Sequence, residues 1–289
     1  MNIILSAVSE ALLWSILAIG VYLMYKILDI ADLSVEGVFP LGAVVCASLI
    51  IKDVNPIYAT LLAIAAGSLG GLVTGILHTK LKIPALLSGI LVMSGLYSVN
   101  LKILQKSNVS LAQNKTILDL LENYIPREYC ALVLGIIVLT IIIIILYLFY
   151  KSEIGLAFIA TGDNETMAQA NSINTNRMKI LGYMISNGLV AFSGALLAQY
   201  NGFADTASGV GTIVIGLAAV IIGLVVIRRA KFQYRLMSIV LGAIIYRLII
   251  AVVLELNVEA TDLKIISAII LALFLYLPNL NIGKVRWSK

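Results

Sequence analysis

Nine runs of apolar residues, each close to the length that crosses a lipid bilayer as a helix, dominate this 289-residue sequence. A helix of about 20 residues spans the ~30 Å hydrocarbon core of a membrane. Only 12% of the residues are charged, against about 25% in soluble domains. We therefore predict an all-α integral membrane protein, a polytopic bundle of about eight or nine transmembrane helices. The runs cover residues 8–28, 36–51, 56–78, 84–103, 129–150, 178–200, 212–228, 236–254 and 264–280.

Other features of the sequence bear on the type of membrane protein and on its domain organisation. Membrane β-barrels are built from alternating segments of about ten residues, a pattern that this sequence does not repeat. Cys46 falls inside one apolar run and Cys130 begins another, so neither a disulfide framework nor a metal-binding spacing is expected. The first residues, MNIILSAVSEALLW, lack a basic region and a small-residue cleavage site, so we expect them to belong to the mature first span. We predict one membrane domain over residues 1–289.

The distribution of Lys and Arg predicts the orientation, because cytoplasmic loops of membrane proteins are enriched in both. An outside N-terminus and inside C-terminus give the better count, 13 basic residues inside against 6 outside. The long polar stretches 104–128 and 151–178 then lie outside and inside, respectively. The inside set is Lys26, Lys80, Lys82, Lys151, Arg177, Lys179, Arg228, Arg229, Lys231, Arg235, Lys284, Arg286 and Lys289; the outside set is Lys52, Lys102, Lys106, Lys115, Arg127 and Lys264.

An acidic turn, DIADLSVEG at residues 29–37, separates the first two apolar runs. Asp32 and Glu36 could form a proton or ion pathway, a catalytic pair or a simple polar turn. The orientation count predicts that the turn lies at the cytoplasmic end of these spans. There Asp32 or Ser34 can cap the second helix, with Glu36 in its first turn.

Three glycines, Gly67, Gly71 and Gly75, recur every fourth residue in the third span. Small residues at this spacing allow two transmembrane helices to approach closely. The stripe therefore predicts helix packing, either within the chain or between subunits.

The inside stretch 151–178 predicts a short helix that lies outside the spans. Asp163 can cap a helix that runs to about Asn171, and Asn174 or Thr175 can cap the next one. Met167 and Asn171 then share one face. This segment is either a docking helix for another protein or a plain interfacial loop. Its residues are Asp163, Asn164, Glu165, Thr166, Met167, Ala168, Gln169, Ala170 and Asn171.

The sequence has no arrangement of residues that is typical of a catalytic site. The single histidine, His78, ends the third span without companions that would complete a metal site; it is a metal ligand, a proton shuttle or an interfacial side chain. No Walker A motif or glycine-rich phosphate loop is present. We therefore expect a chain that is not an enzyme, does not hydrolyse ATP by itself and holds no cofactor.

Several separated stretches of this sequence resemble one family. They are IADLSVEGVFPLGA (30–43), GILHTKLKIPALLSGIL (75–91), TGDNETMAQANSINTNRMKILGYMISNGLVAFSGALLAQYNGF (161–203) and GVGTIVIGLAAVIIG (209–223). These stretches resemble the permease subunits of ABC importers of the branched-chain amino acid and ribose class. Ser172 stands where that class usually has a glycine before Ile173. The sequence is most similar to the subgroup often assigned to tryptophan or tyrosine import.

The resemblance implies a bacterial plasma-membrane permease that performs no chemistry of its own. Two copies, alike or related, would form a central pathway, and two cytoplasmic ATPase subunits would bind ATP and Mg²⁺ beneath them. An extracytoplasmic binding protein would deliver the solute, an aromatic or branched-chain amino acid. Residues 163–171 would be the coupling helix that sits in the ATPase, and the turn at 29–37 would lie near the inner mouth and shape a gate. The chain would also contact membrane lipids, and no nucleic acid is implied as a partner.

Polar residues within the spans are candidates for lining this pathway or its gate. A zwitterionic or aromatic solute needs hydrogen-bonding groups and an aromatic wall, but each candidate could instead bond a neighbouring helix. Arg247 lies inside a span, where a cation costs about 2.5–3.5 kcal/mol on insertion scales, so it should pair with a buried acceptor or face water. The candidates are Asp32, Ser34, Glu36, Ser88, Ser94, Tyr97, Asn100, Asn187, Ser193 and Arg247.

Two other classes compete with the importer hypothesis. An ion-coupled secondary transporter would use Asp32, Glu36 or Arg247 as its coupling sites, because ionisable residues inside membranes are functional candidates. A membrane enzyme is the third class. No group of His, Cys or carboxylate residues near a span end favours it.

Overall fold

The computed structural model describes residues 3–227, 232–255 and 262–280. Helix α1 continues into a π-helical turn at Leu23–Ile27, and the other helices follow along the chain with short connections. The helices are α1 Ile3–Tyr22, α2 Val35–Ile50, α3 Pro56–Thr79, α4 Ala85–Leu104, α5 Ile117–Glu122, α6 Arg127–Lys151, α7 Glu153–Asp163, α8 Glu165–Ala170, α9 Thr175–Asn201, α10 Thr212–Val226, α11 Phe232–Glu255 and α12 Leu263–Leu280.

Among the described residues, six helical segments are long and apolar enough to cross a membrane, which confirms a polytopic helical membrane protein. Three further apolar helices are shorter. The basic residues Arg228, Arg229, Lys231, Lys284, Arg286 and Lys289 of the orientation count lie outside the described residues. The six long segments are Ile3–Ile27, Pro56–Thr79, Ala85–Leu104, Arg127–Lys151, Thr175–Asn201 and Tyr234–Glu255; the shorter ones are Val35–Ile50, Thr212–Val226 and Ile265–Phe274.

A small β-ribbon departs from the purely helical prediction. Strand β1, Asn108–Ser110, pairs antiparallel with β2, Phe203–Asp205, and Val109 lies opposite Ala204. β1 belongs to the stretch 104–128, whereas β2 follows the end of α9. The ribbon therefore fixes this loop to the end of α9, and Leu111 N–H extends the contact by donating to Gly202 O at 2.8 Å.

Helix α9 is the packing centre of the bundle. Ser186 Oγ donates to Gly20 O on α1 at 2.8 Å, and Ser193 Oγ donates to Leu13 O at 2.9 Å. These pairs show that α9 and α1 run antiparallel. Asn187 lies about 18 Å from the first residue of α9 at 1.5 Å per residue, which is half-way along the helix. Asn187 therefore marks the middle depth of the bundle.

The glycine stripe of α3 packs against α9 within the chain. A Cβ atom built on Gly67 would overlap Ala191, and one built on Gly71 would overlap the carbonyl oxygen of Tyr183. Close backbone approach of this kind is the reason that small residues are selected at membrane helix contacts. The three glycines therefore serve an intrachain contact.

Candidate functional site

The acidic turn lies deep in the bundle, and this corrects the prediction of a position at the end of the spans. Ser34 Oγ donates to Asn187 Oδ1 at 3.2 Å, half-way along α9. A Cβ atom on Gly37 would lie 2.8 Å from the Cα of Met93, near the middle of α4. The 16-residue α2 is only about 24 Å long. It therefore begins inside the bundle, after residues 28–34 fold back from the end of α1.

Asp32, Ser34 and Asn187 form a buried polar cluster. Asp32 Oδ1 accepts hydrogen bonds from the backbone N–H and the hydroxyl of Ser34, and Oδ2 accepts from Asn187 Nδ2 at 2.8 Å. Asp32 is 4% exposed, and the other two side chains are fully buried. Ser34 is the N-cap residue of α2, but its side chain makes no capping hydrogen bond. The capping prediction is therefore wrong for Ser34, whereas Asp32 accepts the backbone N–H of Ser34 at 2.9 Å, where α2 begins.

Glu36 connects the beginnings of two helices. It lies in the first turn of α2, as expected. Its Oε1 atom accepts a hydrogen bond from Gly211 N–H at 3.0 Å. Gly211 precedes α10 and has a φ of 88°, a conformation that favours glycine. A Cβ atom on Gly209 would overlap the Glu36 carbonyl oxygen, so the segment 206–211 approaches α2 closely. Helices α2 and α10 consequently begin side by side at the depth of Glu36.

A pocket of about 490 Å³ opens beside Glu36. Its walls come from the start of α2, the middle of α4 and the segment that precedes α10. Four of the residues predicted to line the pathway are among its walls: Glu36, Ser94, Tyr97 and Asn100. The other lining residues are Gly37, Pro40, Met93, Thr206, Ala207, Gly209 and Val210.

Asn100 and Tyr97 contribute a polar group and an aromatic ring to the walls of this pocket. Asn100 is fully buried, and its Nδ2 atom donates to Gly37 O at 3.2 Å. Its Oδ1 atom accepts no hydrogen bond from the residues that the structure describes. Tyr97 is 53% exposed and supplies an aromatic wall. The pocket thus combines a carboxylate, a free amide oxygen and an apolar surface, which suits a small solute with a polar end.

The other predicted pathway residues lie away from this pocket. Asp32, Ser34 and Asn187 form the buried cluster described above. Ser88 Oγ donates to Ile83 O at 3.3 Å, and Ser193 bonds α1. Ser193 therefore makes the hydrogen bond to a neighbouring helix that was the alternative to lining, whereas Ser88 bonds the loop that precedes its own helix.

Arg247 pairs with Glu10 of α1. Its guanidinium also lies 5.5 Å from the ring centre of Trp14, whose Nε1 donates to Glu10 Oε1 at 3.3 Å. The Arg247 side chain is 15% exposed, so the ion pair compensates the cost of placing a cation in a span. Arg247 is absent from the walls of the pocket beside Glu36. Sequence reasoning missed Glu10, although a carboxylate inside the first apolar run was the available signal.

Helix α8 lies at the other end of the bundle from the β-ribbon, beside the start of α9. Asp163 ends α7, and the side chain of Asn164 caps α8 by accepting from Met167 N–H at 3.0 Å. The predicted cap at Asp163 is therefore wrong, because α7 already occupies that residue. Asn174 caps α9 and accepts from Arg177 N–H at 3.1 Å. Met167 projects from α8 and is 66% exposed.

Glu165 fixes α8 to α9. Its Oε1 atom accepts from Lys179 Nζ at 2.7 Å and from Thr175 Oγ1 at 3.2 Å. The hydrogen bond from Lys179 is the main reason that the pKa of Glu165 lies below its ordinary value. α8 is therefore held in place while its Met167 face stays open.

The part of the chain that the structure describes contains no group of three or more His, Cys, Asp or Glu residues that could hold a metal ion. His78 Nδ1 lies 3.0 Å from Ile83 O, and its ring meets the edge of Tyr183 with 6.0 Å between centres. These contacts give His78 a role in joining the end of α3 to the loop that follows.

Comparison with known proteins agrees with this architecture. The family model described as branched-chain amino acid transport system / permease component matches residues 3–277. The tyrosine transport system permease protein of Clostridioides difficile (strain R20291) is 43% identical over 283 residues, which are 98% of this chain and 94% of that protein.

More distant relatives extend the comparison. An uncharacterized protein of Rickettsia prowazekii (strain Madrid E) is 33% identical over 94% of this chain and 96% of its own length. The ribose import permease of Escherichia coli (strain K12) is 25% identical over 92% of this chain and 82% of its own length. No solved structure gives a match to the chain.

Proposed function

The chain belongs to the family of branched-chain amino acid transport system permease components, and from this membership we propose that it carries an amino acid across the bacterial plasma membrane. As a permease component of an ABC transport system, it is a non-catalytic, integral membrane subunit. Tyrosine is the first solute to test, since the relative that is 43% identical is a tyrosine transport system permease protein. The match over residues 3–277 is the observation that carries the proposal.

The proposed assembly contains two copies of this chain, two ATPase subunits that bind ATP and Mg²⁺, and an extracytoplasmic binding protein. In this assembly residues 1–289 form one membrane domain of eight or nine transmembrane helices. Its N-terminus is outside, its C-terminus is inside, and the loop 104–128 faces the binding protein. The two sets of basic residues in the sequence support this orientation.

Helix α8 is the proposed contact with the ATPase. An exposed methionine suits a groove in another protein, because its flexible thioether adapts to the partner's surface. The Glu165–Lys179 pair would transmit movement of α8 to α9, and α9 packs against α1, α2 and α3. ATP must then favour one arrangement of the bundle over another, since a ligand that binds both equally shifts nothing.

The pocket beside Glu36 is the proposed section of the pathway within the bundle. Its depth supports this role, because a carboxylate half-way along the helices needs water or protein around it rather than lipid. The ion-coupled alternative has less support. Asp32 accepts three hydrogen bonds from Ser34 and Asn187, and Arg247 is paired with Glu10, so these two candidate coupling sites are occupied.

Purification of the tagged permease from its native membrane tests the assembly. We expect an ABC ATPase to co-elute in a 1:1 ratio with the permease. Wild-type permease that elutes alone from gently solubilised membranes would contradict the proposed assembly. Cysteine labelling tests the orientation. A cysteine at the exposed residue Gln113 should react with an impermeant thiol reagent in intact cells, whereas one at the exposed residue Thr166 should react only after the membrane is permeabilised.

A further inference from the structure

Among the residues that the structure describes, the pocket beside Glu36 offers a bound solute one charged acceptor and no cation, and a second acceptor lies buried in its wall. Glu36 is the one charged residue among the described walls of the pocket. Asn100 adds a buried Oδ1 atom that accepts nothing from the described residues. The Nδ2 atom of the same amide is committed to Gly37 O, which holds Oδ1 in place. A buried acceptor without a donor costs free energy, and a donor from a bound solute would remove that cost.

Glu36 has a structural partner, but one hydrogen bond does not satisfy a carboxylate. Gly211 N–H donates to Oε1, whereas two carboxylate oxygens together accept about four hydrogen bonds. The side chain is only partly buried. A group with several N–H donors and a positive charge matches both Glu36 and Asn100.

Resting on the proposed function, we propose that this pocket binds the ammonium group of an amino acid between the Glu36 carboxylate and Asn100 Oδ1. The permease itself then selects for amino compounds, in addition to any selection by a binding protein. Tyr97, Met93 and Pro40 form the apolar side of the pocket, where an aromatic side chain can stack on the ring of Tyr97. Deaminated analogues lack the donors and the charge, so the pocket rejects them.

Equilibrium binding of radiolabelled tyrosine to the permease–ATPase complex in nanodiscs, without a binding protein, tests this inference. Tyramine keeps the ammonium group and should compete, whereas 3-(4-hydroxyphenyl)propionate lacks it and should not. Glu36→Gln removes the charge but retains an acceptor for Gly211 N–H, so this hydrogen bond survives. We expect it to weaken tyrosine binding at least about tenfold, and Asn100→Leu to weaken it as well. Glu128→Gln, on an exposed residue outside the pocket, is the matched control.

Three results would overturn the inference: no saturable binding to the wild-type complex, equal competition by the deaminated analogue, or wild-type affinity in Glu36→Gln. Loss of binding in both Glu36→Gln and Asn100→Leu, with ATPase association and elution unchanged, supports it. Failure of the wild-type chain to associate with an ATPase would instead contradict the proposed function, so the two failures are distinguishable.

Discussion

At the scale of single residues, the ion pair of Arg247 with Glu10 offers a direct test of the bundle. It joins α11 to α1 across a long stretch of sequence. Arg247→Leu leaves the Glu10 carboxylate without its cation, and we expect a loss of up to about 3 kcal/mol in stability, because unpaired buried charges are costly. The double variant Glu10→Gln with Arg247→Leu should recover much of this loss. Thermal unfolding in detergent measures both; equal melting temperatures for wild type and Arg247→Leu would contradict the pairing.

Glu165 makes the attachment of α8 dependent on pH. Since Lys179 lowers the pKa of this carboxyl below its ordinary value of 4.5, folding favours the charged form. Its contribution is present at neutral pH and is lost as the pH falls below 4.5 through the lowered pKa. Wild type should therefore unfold at a higher temperature than Glu165→Gln at pH 7, and the difference should shrink towards pH 3. A difference that grows on acidification would contradict this assignment.

These residues show what a sequence can and cannot predict at this scale. Arg247 could be recognised as needing a partner, because it is a cation in an apolar run. Its partner could not be identified, since pairing across two helices depends on how α1 and α11 pack. The same holds for Asn187 and Asp32, whose contact requires the chain to fold back after α1.

At the scale of helices, the contact between α3 and α9 depends on backbone approach. Gly71→Ala would place a methyl group against the Tyr183 carbonyl oxygen, so we expect a loss of about 1–3 kcal/mol from overpacking. Gly95→Ala on α4 is the matched control, because a Cβ atom there has nothing within 4 Å. Thermal stability of the two variants in the same detergent compares them. A destabilisation of Gly95→Ala equal to that of Gly71→Ala would show that the close contact is unimportant.

Helix α8 gives the second prediction at this scale. Met167→Asp should abolish co-purification of the ATPase, because a charged side chain would enter an apolar groove, while elution of the permease stays unchanged. Tyr124→Asp is the control: Tyr124 is 86% exposed and lies in the loop proposed to face outward. Undiminished ATPase binding by Met167→Asp would remove α8 as the contact.

Apolar runs in the sequence predict the bounds of a helix but not its depth in the bundle. The run 36–51 predicted α2, Val35–Ile50, almost to the residue. The predicted depth of α2 was wrong, because composition does not tell whether a 16-residue helix starts at the surface or inside the bundle. The pocket beside Glu36 follows from that depth, so only its individual residues could be proposed from sequence.

At the scale of the whole molecule, the chain is a permease component whose transport needs energy from another subunit. Its candidate pocket and its proposed ATPase contact lie on different helices, and α9 packs near both. α9 also holds Asn187, which contacts Asp32 near the start of α2. In the proposed mechanism, a movement of α8 reaches the pocket through α9 and α2.

Uptake of radiolabelled tyrosine into proteoliposomes tests this account most directly. The vesicles contain the permease and its ATPase, with the binding protein outside and ATP enclosed, and matched vesicles carry an ATPase whose ATP site is disabled. We predict uptake that requires enclosed ATP and an intact ATP site, and no uptake from a proton or sodium gradient alone. Uptake driven by an ion gradient in vesicles that contain only this chain would contradict it.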